Sequence, residues 1–178
     1  MTSSIENAVA AGDVQRIARL LAEGVDPNTL TAFGDCLLSL AASSHLTNPH
    51  PGLTVRLLLE RGADPNGRGE LAPLVTAIFN TRPEIVQLLL KHGANPNTVV
   101  GGVETIYDLA EFDYRFEQYD LHLPEEPTEA DDADEDSWLA MLDRFALKYR
   151  KRMPIELHIL RSHGALTMTE LRARKETA

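Results

Sequence analysis

The chain has one cysteine, one tryptophan and few aromatic residues of any kind, 6% of 178 positions. A lone thiol, Cys36, excludes an internal disulfide, suits a reducing compartment and leaves no thiolate cluster for zinc. The six histidines form no H-E-x-x-H and pair with no cysteine. No stretch approaches the roughly 20 consecutive apolar residues that span a bilayer. The N-terminal MTSSIENAVAAGDVQ lacks the basic start and apolar core of a secretory signal. The expectation is a soluble, cytoplasmic protein with no membrane partner. Glycine occurs without a Walker pattern or a G-x-G-x-x-G, so GRGE and VGGVE read as loop tips rather than phosphate cradles. No catalytic constellation emerges, and the chain is expected to be neither an enzyme nor a cofactor carrier.

Positive charge is also scarce, 17 Lys and Arg against 27 Asp and Glu, a net −10. Twelve of those acids, with Arg115 as their one base, lie between Glu111 and Asp136, and the rest of the chain is nearly neutral. The acidity therefore belongs to one segment. It disfavours direct nucleic-acid binding, which needs a basic face to displace counterions, and it fits a basic protein partner.

What the chain does have is repetition. LLLERGADPN ends at Asn66, LLLKHGANPN at Asn97, and the looser RLLAEGVDPN at Asn28; LHILRSHGAL is a weaker fourth copy. Their glycines, Gly24, Gly62, Gly93 and Gly164, are 38, 31 and 71 residues apart. Each copy ends an amphipathic helix. In RPEIVQLLLKHG, Pro83 suits a first turn and Gly93 a left-handed cap. His92 and His163 precede such glycines and are expected to meet free carbonyls there. Asx-Pro-Asn is turn chemistry. After each turn comes a second helical signal, CLLSLAAS, APLVTAIF or TIYDLAEF, with Ala41, Ala77 and Ala110 at matching positions. One such helix pair cannot bury its apolar face alone, whereas stacked copies can.

This unit resembles the ankyrin repeat, whose period is about 33 and whose signature is T-P-L-H-x-A. APLVTA is the nearest copy, with Pro73, Leu74 and Ala77 matching, and the GADPN tails are close to the family's own. The resemblance implies an all-α solenoid of stacked helix-turn-helix units. The expected array is a single domain over 1–178, with repeats at 3–28, 29–66, 67–97 and 98–166 and a C-terminal tail at 167–178. SIENAVAAGDVQRIARLLAEG reads as an N-terminal cap, its first helix Ser4 to Ala11, with Glu6, Asn7, Gln15 and Arg16 facing water. Family spacing from signature to tail glycine is about 21 residues. Cys36 to Gly62 exceeds it by five, which places a loop in SSHLTNPHPG. Thr105 to Gly164 exceeds it by about 38, so the last repeat is split by an insertion over about 113–153.

The insertion has three parts. DLAEFDYRFEQYDL extends the first helix of the split repeat. HLPEEPTEADDADEDS reads as a mobile, solvated acidic loop. SWLAMLDRFALKYRKRM is an amphipathic helix over about 137–152, with Ser137 as N-cap and Trp138, Leu142, Phe145 and Tyr149 on one stripe. That helix either packs back on the stack or offers its aromatic stripe to a partner. Asp132, Asp134 and Asp136 have the spacing of an EF-hand's first ligands. Ser137, however, stands where that loop needs glycine, and Asp143 where it needs glutamate, so no metal site is expected.

The resemblance further implies protein binding through loop tips and the exposed face of the first helices. Carried over by position, the loop residues are Leu30, Phe33 and Asp35, then Arg68, Glu70 and Leu71, then Val100, Val103 and Glu104. The helix residues are Ser43 and Ser44, Phe79 and Asn80, Phe112 and Asp113. Phe79 and Phe112 fall where a polar residue would be cheaper if only water were met, and exposed aromatics are candidate hot spots. Asp131, Asp132, Asp134 and Asp136 would steer a basic partner. The expected protein is a monomer when free that grips a basic toxin in the manner of an immunity protein, or else a scaffold or regulator that restrains a nucleic-acid-binding protein. A calcium-responsive sensor or an enzyme is the remoter alternative.

Overall fold

Proline, glycine and Asx side chains punctuate a chain that is otherwise helical. The computed structural model describes residues 4–43, 48–69 and 71–177. These fall into two compact units, Met1–Asn95 and Pro96–Ala178.

The first unit holds α1 (Ser4–Ala11), α2 (Val14–Ala22), α3 (Leu37–Ser43), α4 (Pro51–Glu60), α5 (Pro73–Phe79) and α6 (Pro83–Lys91). Pro51, Pro73 and Pro83 each open a helix where a missing N–H costs nothing. Asp13 caps α2 by accepting the Arg16 N–H at 2.9 Å, a contact worth about 1 kcal/mol. The odd helices form one row, α1 against α3 and α3 against α5, and the even helices a second, α2 against α4 and α4 against α6. Ala41 and Ala77 are fully buried in the odd row, where small side chains allow close approach. Leu58, Ile85, Val86 and Leu89 fill the seam from the even row. Of the polar residues expected to face water on the first helix pair, Asn7, Gln15 and Arg16 do. Glu6 is buried, in the first turn of α1, where the helix dipole favours a carboxylate.

The long link between α3 and α4 is pinned by Asn48. Its side chain donates to the Val9 carbonyl at 3.4 Å and to Thr54 Oγ1 at 3.2 Å, and accepts the His50 N–H at 2.8 Å.

The second unit begins with a hairpin of β1 (Val99–Val100) and β2 (Glu104–Thr105), antiparallel with Val99 opposite Thr105. It continues with α7 (Ile106–Tyr119), α8 (Glu135–Tyr149), α9 (Ile155–Ser162) and α10 (Met168–Glu176). The expected extension of the first helix is present, since α7 is twice the length of α5. Helix α8 starts before Ser137. Its N-cap is Asp134, whose carboxylate accepts the Ser137 N–H at 2.7 Å, because a carboxylate at that position holds the first turn better than the serine one turn later. The expected tail at 167–178 is largely helix α10, held at its start by a capping box between Thr167 and Glu170.

A shared device marks the four glycine tails. The Val25, Ala63, Ala94 and Ala165 N–H groups donate back to the carbonyls of Leu20, Leu58, Leu89 and Leu160 at 3.0–3.1 Å. Each closes a Schellman turn around a glycine at positive φ, 93° at Gly93 and 80° at Gly164. The asparagine of one tail then ties down the next. Asn28 accepts the Asp64 N–H at 2.7 Å and donates to the Gly62 carbonyl at 3.1 Å. Asn66 accepts the Asn95 N–H at 2.8 Å. Asn97 accepts the Leu166 N–H at 2.8 Å and donates to the Gly164 carbonyl at 3.0 Å. Helix α9 therefore ends against the Asn97 turn as α4 ends against the Asn28 turn, with α8 intervening in sequence. His92 and His163 sit where expected, their Nδ1 atoms 2.8 and 2.9 Å from the Leu88 and Ile159 carbonyls.

Candidate functional site

In the first unit the loop tips are built by tight backbone pairing. Leu30 and Cys36 form an antiparallel bridge, and Thr31 donates its N–H to the Asp35 carbonyl at 2.8 Å. Phe33 stands at the tip of this turn and is 84% exposed. Cys36 is buried, with Sγ 3.2 Å from Ser39 Oγ, so the thiol packs rather than reacts. The next loop lies alongside: a Cβ on Gly69 would come within 2.8 Å of the Gly34 carbonyl and the Cys36 nitrogen. Leu30, Leu71 and Phe79 are exposed, as are Arg68 and Ser43. Asp35 is half-buried. Asn80 uses its side chain internally, donating to the Thr76 carbonyl at 2.8 Å at the end of α5. Ser44 and Glu70 lie outside the described residues.

In the second unit Val103 and Glu104 are exposed at the hairpin turn. Phe112 is 49% exposed, and Phe116, one turn further along the same face of α7, is 54% exposed. Phe116 is not among the positions carried over from the family. The F-x-x-x-F spacing was the available sign that the pair shares one outward face. Tyr114 is the buried aromatic of this stretch, and its hydroxyl donates to the Arg152 carbonyl at 2.7 Å. Asp113 is half-buried; burial and then the neighbouring Glu117 push its carboxyl above the ordinary range.

The acidic segment departs from the expected solvated loop. Asp131 is 6% exposed. Its carboxylate accepts the Thr128 N–H and hydroxyl at 2.9 and 2.8 Å, and meets Arg144 Nη2 at 3.0 Å. Those Thr128 bonds and then the Arg144 guanidinium hold its pKa below the usual carboxylate range. Glu125 receives hydrogen bonds from Lys148 and Tyr149, which hold its pKa low as well. The segment is fastened to α8 at two points because α8 presents basic side chains where the loop passes. Asp134 serves as the α8 cap, and Asp136 pairs with Arg161 at 2.9 Å. Of the four aspartates expected to steer a partner, Asp132 is the exposed one without such an internal role.

Helix α8 itself packs inward. Leu142 and Phe145 are buried, and Trp138 Nε1 donates to Glu111 on α7 at 3.0 Å. Asp143 meets His158 on α9 at 2.9 Å. The aromatic stripe is thus largely spent within the unit.

A family model described as Ankyrin repeats (3 copies) matches residues 5–99, more than half of the chain. The chain belongs to the ankyrin-repeat family. It is also similar to the mouse (Mus musculus) Ankyrin repeat and SOCS box protein 16, 35% identical in an alignment of 108 positions that covers 58% of this chain. The match spans 24% of that protein's length. Ankyrin repeats are protein–protein interaction modules, and the family is generally non-catalytic. No described helix is long and apolar enough to cross a membrane.

Proposed function

We propose that this ankyrin-repeat protein binds a basic protein partner without catalysis, through its loop tips and the exposed face of its first-row helices. The observation that carries the reading is the exposure of Phe33, Phe79 and Phe112, at positions carried over from the family's contact surface, with the exposed Phe116 one turn beyond Phe112. Large apolar side chains are kept on a surface when something covers them, and aromatic anchors dominate binding energy. In this reading residues 98–166 are a fourth repeat opened by an insertion. The return of Gly164 and Leu166 to Asn97 supports it.

The narrowest form of the proposal is an immunity-type inhibitor, a monomer when free in the cytoplasm, that occludes the active site of a basic toxin. A scaffold or regulator that restrains a nucleic-acid-binding protein by imitating its charge is the second reading, favoured by the density of acids between Glu111 and Asp136. Affinity capture with the whole chain, followed by identification of the bound protein, separates them: a toxin enzyme supports the first, a nucleic-acid-binding regulator the second. Capture of acidic proteins alone, or undiminished capture by a Phe112→Ser, Phe116→Ser variant and by Phe79→Ser, overturns the proposal.

A further inference from the structure

The acids on the inner side of α7 and α8 are matched within the second unit. The Tyr107 hydroxyl donates to Glu135; burial, and then the charge of Glu111, lift the Glu135 carboxyl to about 7. Arg115 meets Glu111 at 2.5 Å and lies over the Trp138 ring, 5.8 Å from its centroid. Asp108 accepts the Thr105 and Met168 N–H groups, at 2.8 and 2.9 Å. The outward face of α7 is different.

Helix α7 buries Ile106, Tyr107, Ala110 and Tyr114 on one side. Phe112 and Phe116 project from the other, one turn apart and both about half exposed. Phe79 ends α5, whereas α7 continues to Tyr119, well past Phe112. The aromatic face is therefore longer than the repeat unit requires. Asp113, Glu117 and Asp120 follow at i, i+4 and i+7 spacing, which sets them along one edge of the helix beside the rings. Glu117 meets Arg152 at 3.1 Å. Asp113 and Asp120 make no ion pair among the described residues. Burial, and then Glu117, push the Asp113 carboxyl up, opposed by Arg152. Negative charge is thus in excess along this edge.

These features define what can cover the face. The occupant must bring apolar side chains to the rings and positive charge to the edge. It must also satisfy its own backbone, because α7 offers side chains only and its peptide groups are spent within the helix. An extended segment laid on the rings would bury peptide groups without partners, whereas a helix closes its own. Side chains in an i, i+4 row form the kind of ridge that fits the groove of a second helix. A second copy of the chain is a poor occupant, since it carries the same acidic edge and the same net charge of −10.

We infer that the outward face of α7 receives an amphipathic helix of the partner protein, whose apolar row packs on Phe112 and Phe116 and whose lysines or arginines face Asp113, Glu117 and Asp120. This rests on the basic-partner reading above and gives the form in which that partner is met.

The probe is the capped peptide acetyl-SAKKLAAALKKLAAKA-amide, which sets its leucines on one helical stripe and lysines along its edge. It is titrated into the full chain by calorimetry. One control replaces every lysine with glutamate, and another replaces a central alanine with proline to break the helix. Expected are saturable binding of the lysine peptide and at least tenfold weaker binding of both controls. Phe112→Ser with Phe116→Ser should weaken the lysine peptide at least tenfold, and Phe33→Ser should leave it unchanged. Asp113→Asn with Asp120→Asn should weaken it about fivefold at low salt, and less at high salt. Equal binding of the proline peptide overturns the helical form of the contact, and equal binding of the glutamate peptide its charge. Undiminished binding by the double phenylalanine variant, with its melt matching the parent, overturns the location. A parent chain that sediments as a dimer, and as a monomer in that variant, overturns the inference in favour of a second copy. No saturable binding of the lysine peptide overturns it outright; if a basic partner is still captured through the phenylalanines, the broader reading survives alone. A bound peptide with an acidic captured partner sinks the broader reading and leaves α7 as a helix-binding face.

Discussion

Asn97 holds Leu166 across 69 positions of sequence, accepting its backbone N–H at 2.8 Å while donating to the carbonyl of Gly164 at 3.0 Å. Asn28 makes the same pair of bonds to Asp64 and Gly62, 36 and 34 positions away. One side chain performs one task in both places, although about twice as much chain intervenes at Asn97.

Removing that side chain should cost the same in both settings. Each net hydrogen bond is worth about 1 kcal/mol, so Asn97→Ala and Asn28→Ala should each lose roughly 1–2 kcal/mol in urea unfolding. Hydrogen exchange should locate the damage, with the Leu166 amide accelerated in the first variant and the Asp64 amide in the second. An Asn97→Ala protein with a fully protected Leu166 amide contradicts this account of the closing turn.

Glu135 should make stability fall as pH rises. Its carboxyl lies at about 7 when folded against 4.5 ordinarily, so the folded state binds the proton more tightly. No cost exists below about 4.5, the cost grows between the two values, and it is complete above 7. After allowance for partial solvent screening it amounts to about 1–2 kcal/mol. Glu135→Gln should therefore melt higher than the parent at pH 8 and close to it at pH 5. A gap that is the same at both values would rule out the titration as its source.

The acidic loop should be held by α8 rather than by its own residues. Arg144→Met removes the cation facing Asp131, and Lys148→Met one of the two groups facing Glu125. Amide exchange and protease cleavage over residues 121–133 should speed up in the double variant. The melting temperature should barely move, because exposed ion pairs add little to global stability. Unchanged exchange in this stretch would mean that the anchors do not hold it.

The exposed phenylalanines should be dispensable for folding. Phe33→Ser and the pair Phe112→Ser, Phe116→Ser remove side chains that lie about half or more in water. Surface substitutions of this kind stay within about 0.5 kcal/mol, and thermal melts should agree with the parent. A marked loss of stability would show that these rings serve the fold and would weaken their assignment to a partner.

Charge steering should reside in the acids that lack internal partners. Neutralising Glu126, Glu129 and Asp132, all exposed, should slow association with a basic partner and flatten its salt dependence. Dissociation should change little. Neutralising Asp131 should instead loosen the loop, because its carboxylate is already occupied.

Local signals carried most of the fold. The limits of α1, the left-handed glycine caps and the lengthened α7 follow from apolar periodicity and turn residues within a dozen positions of one another. The missed features are of another kind. Asp131 finds Arg144, and Glu125 finds Lys148, across stretches with no shared period, so composition alone reads the segment as solvated. Helix α10 was signalled by Thr167-Met-Thr-Glu170, the same capping box that opens α7 at Thr105 and Asp108. No apolar period supports that signal, because α10 buries no residue and shows no apolar stripe. Glu135 could not be singled out among twelve acids, since its environment depends on Tyr107 reaching it from α7, 28 positions away.

The Asn97 turn also bears on the order in which the chain can acquire its structure. Repeat arrays ordinarily grow by neighbour joining neighbour, each new helix pair finding its contact within about 35 residues. The first three glycine tails obey that rule and can dock as synthesis proceeds. The Asn97 turn waits until residue 166 has emerged, because its partners Gly164 and Leu166 lie beyond α7 and α8, and longer loops close at greater entropic cost. During synthesis there is thus an interval in which α7 and the acid-rich stretch exist without their closing helix.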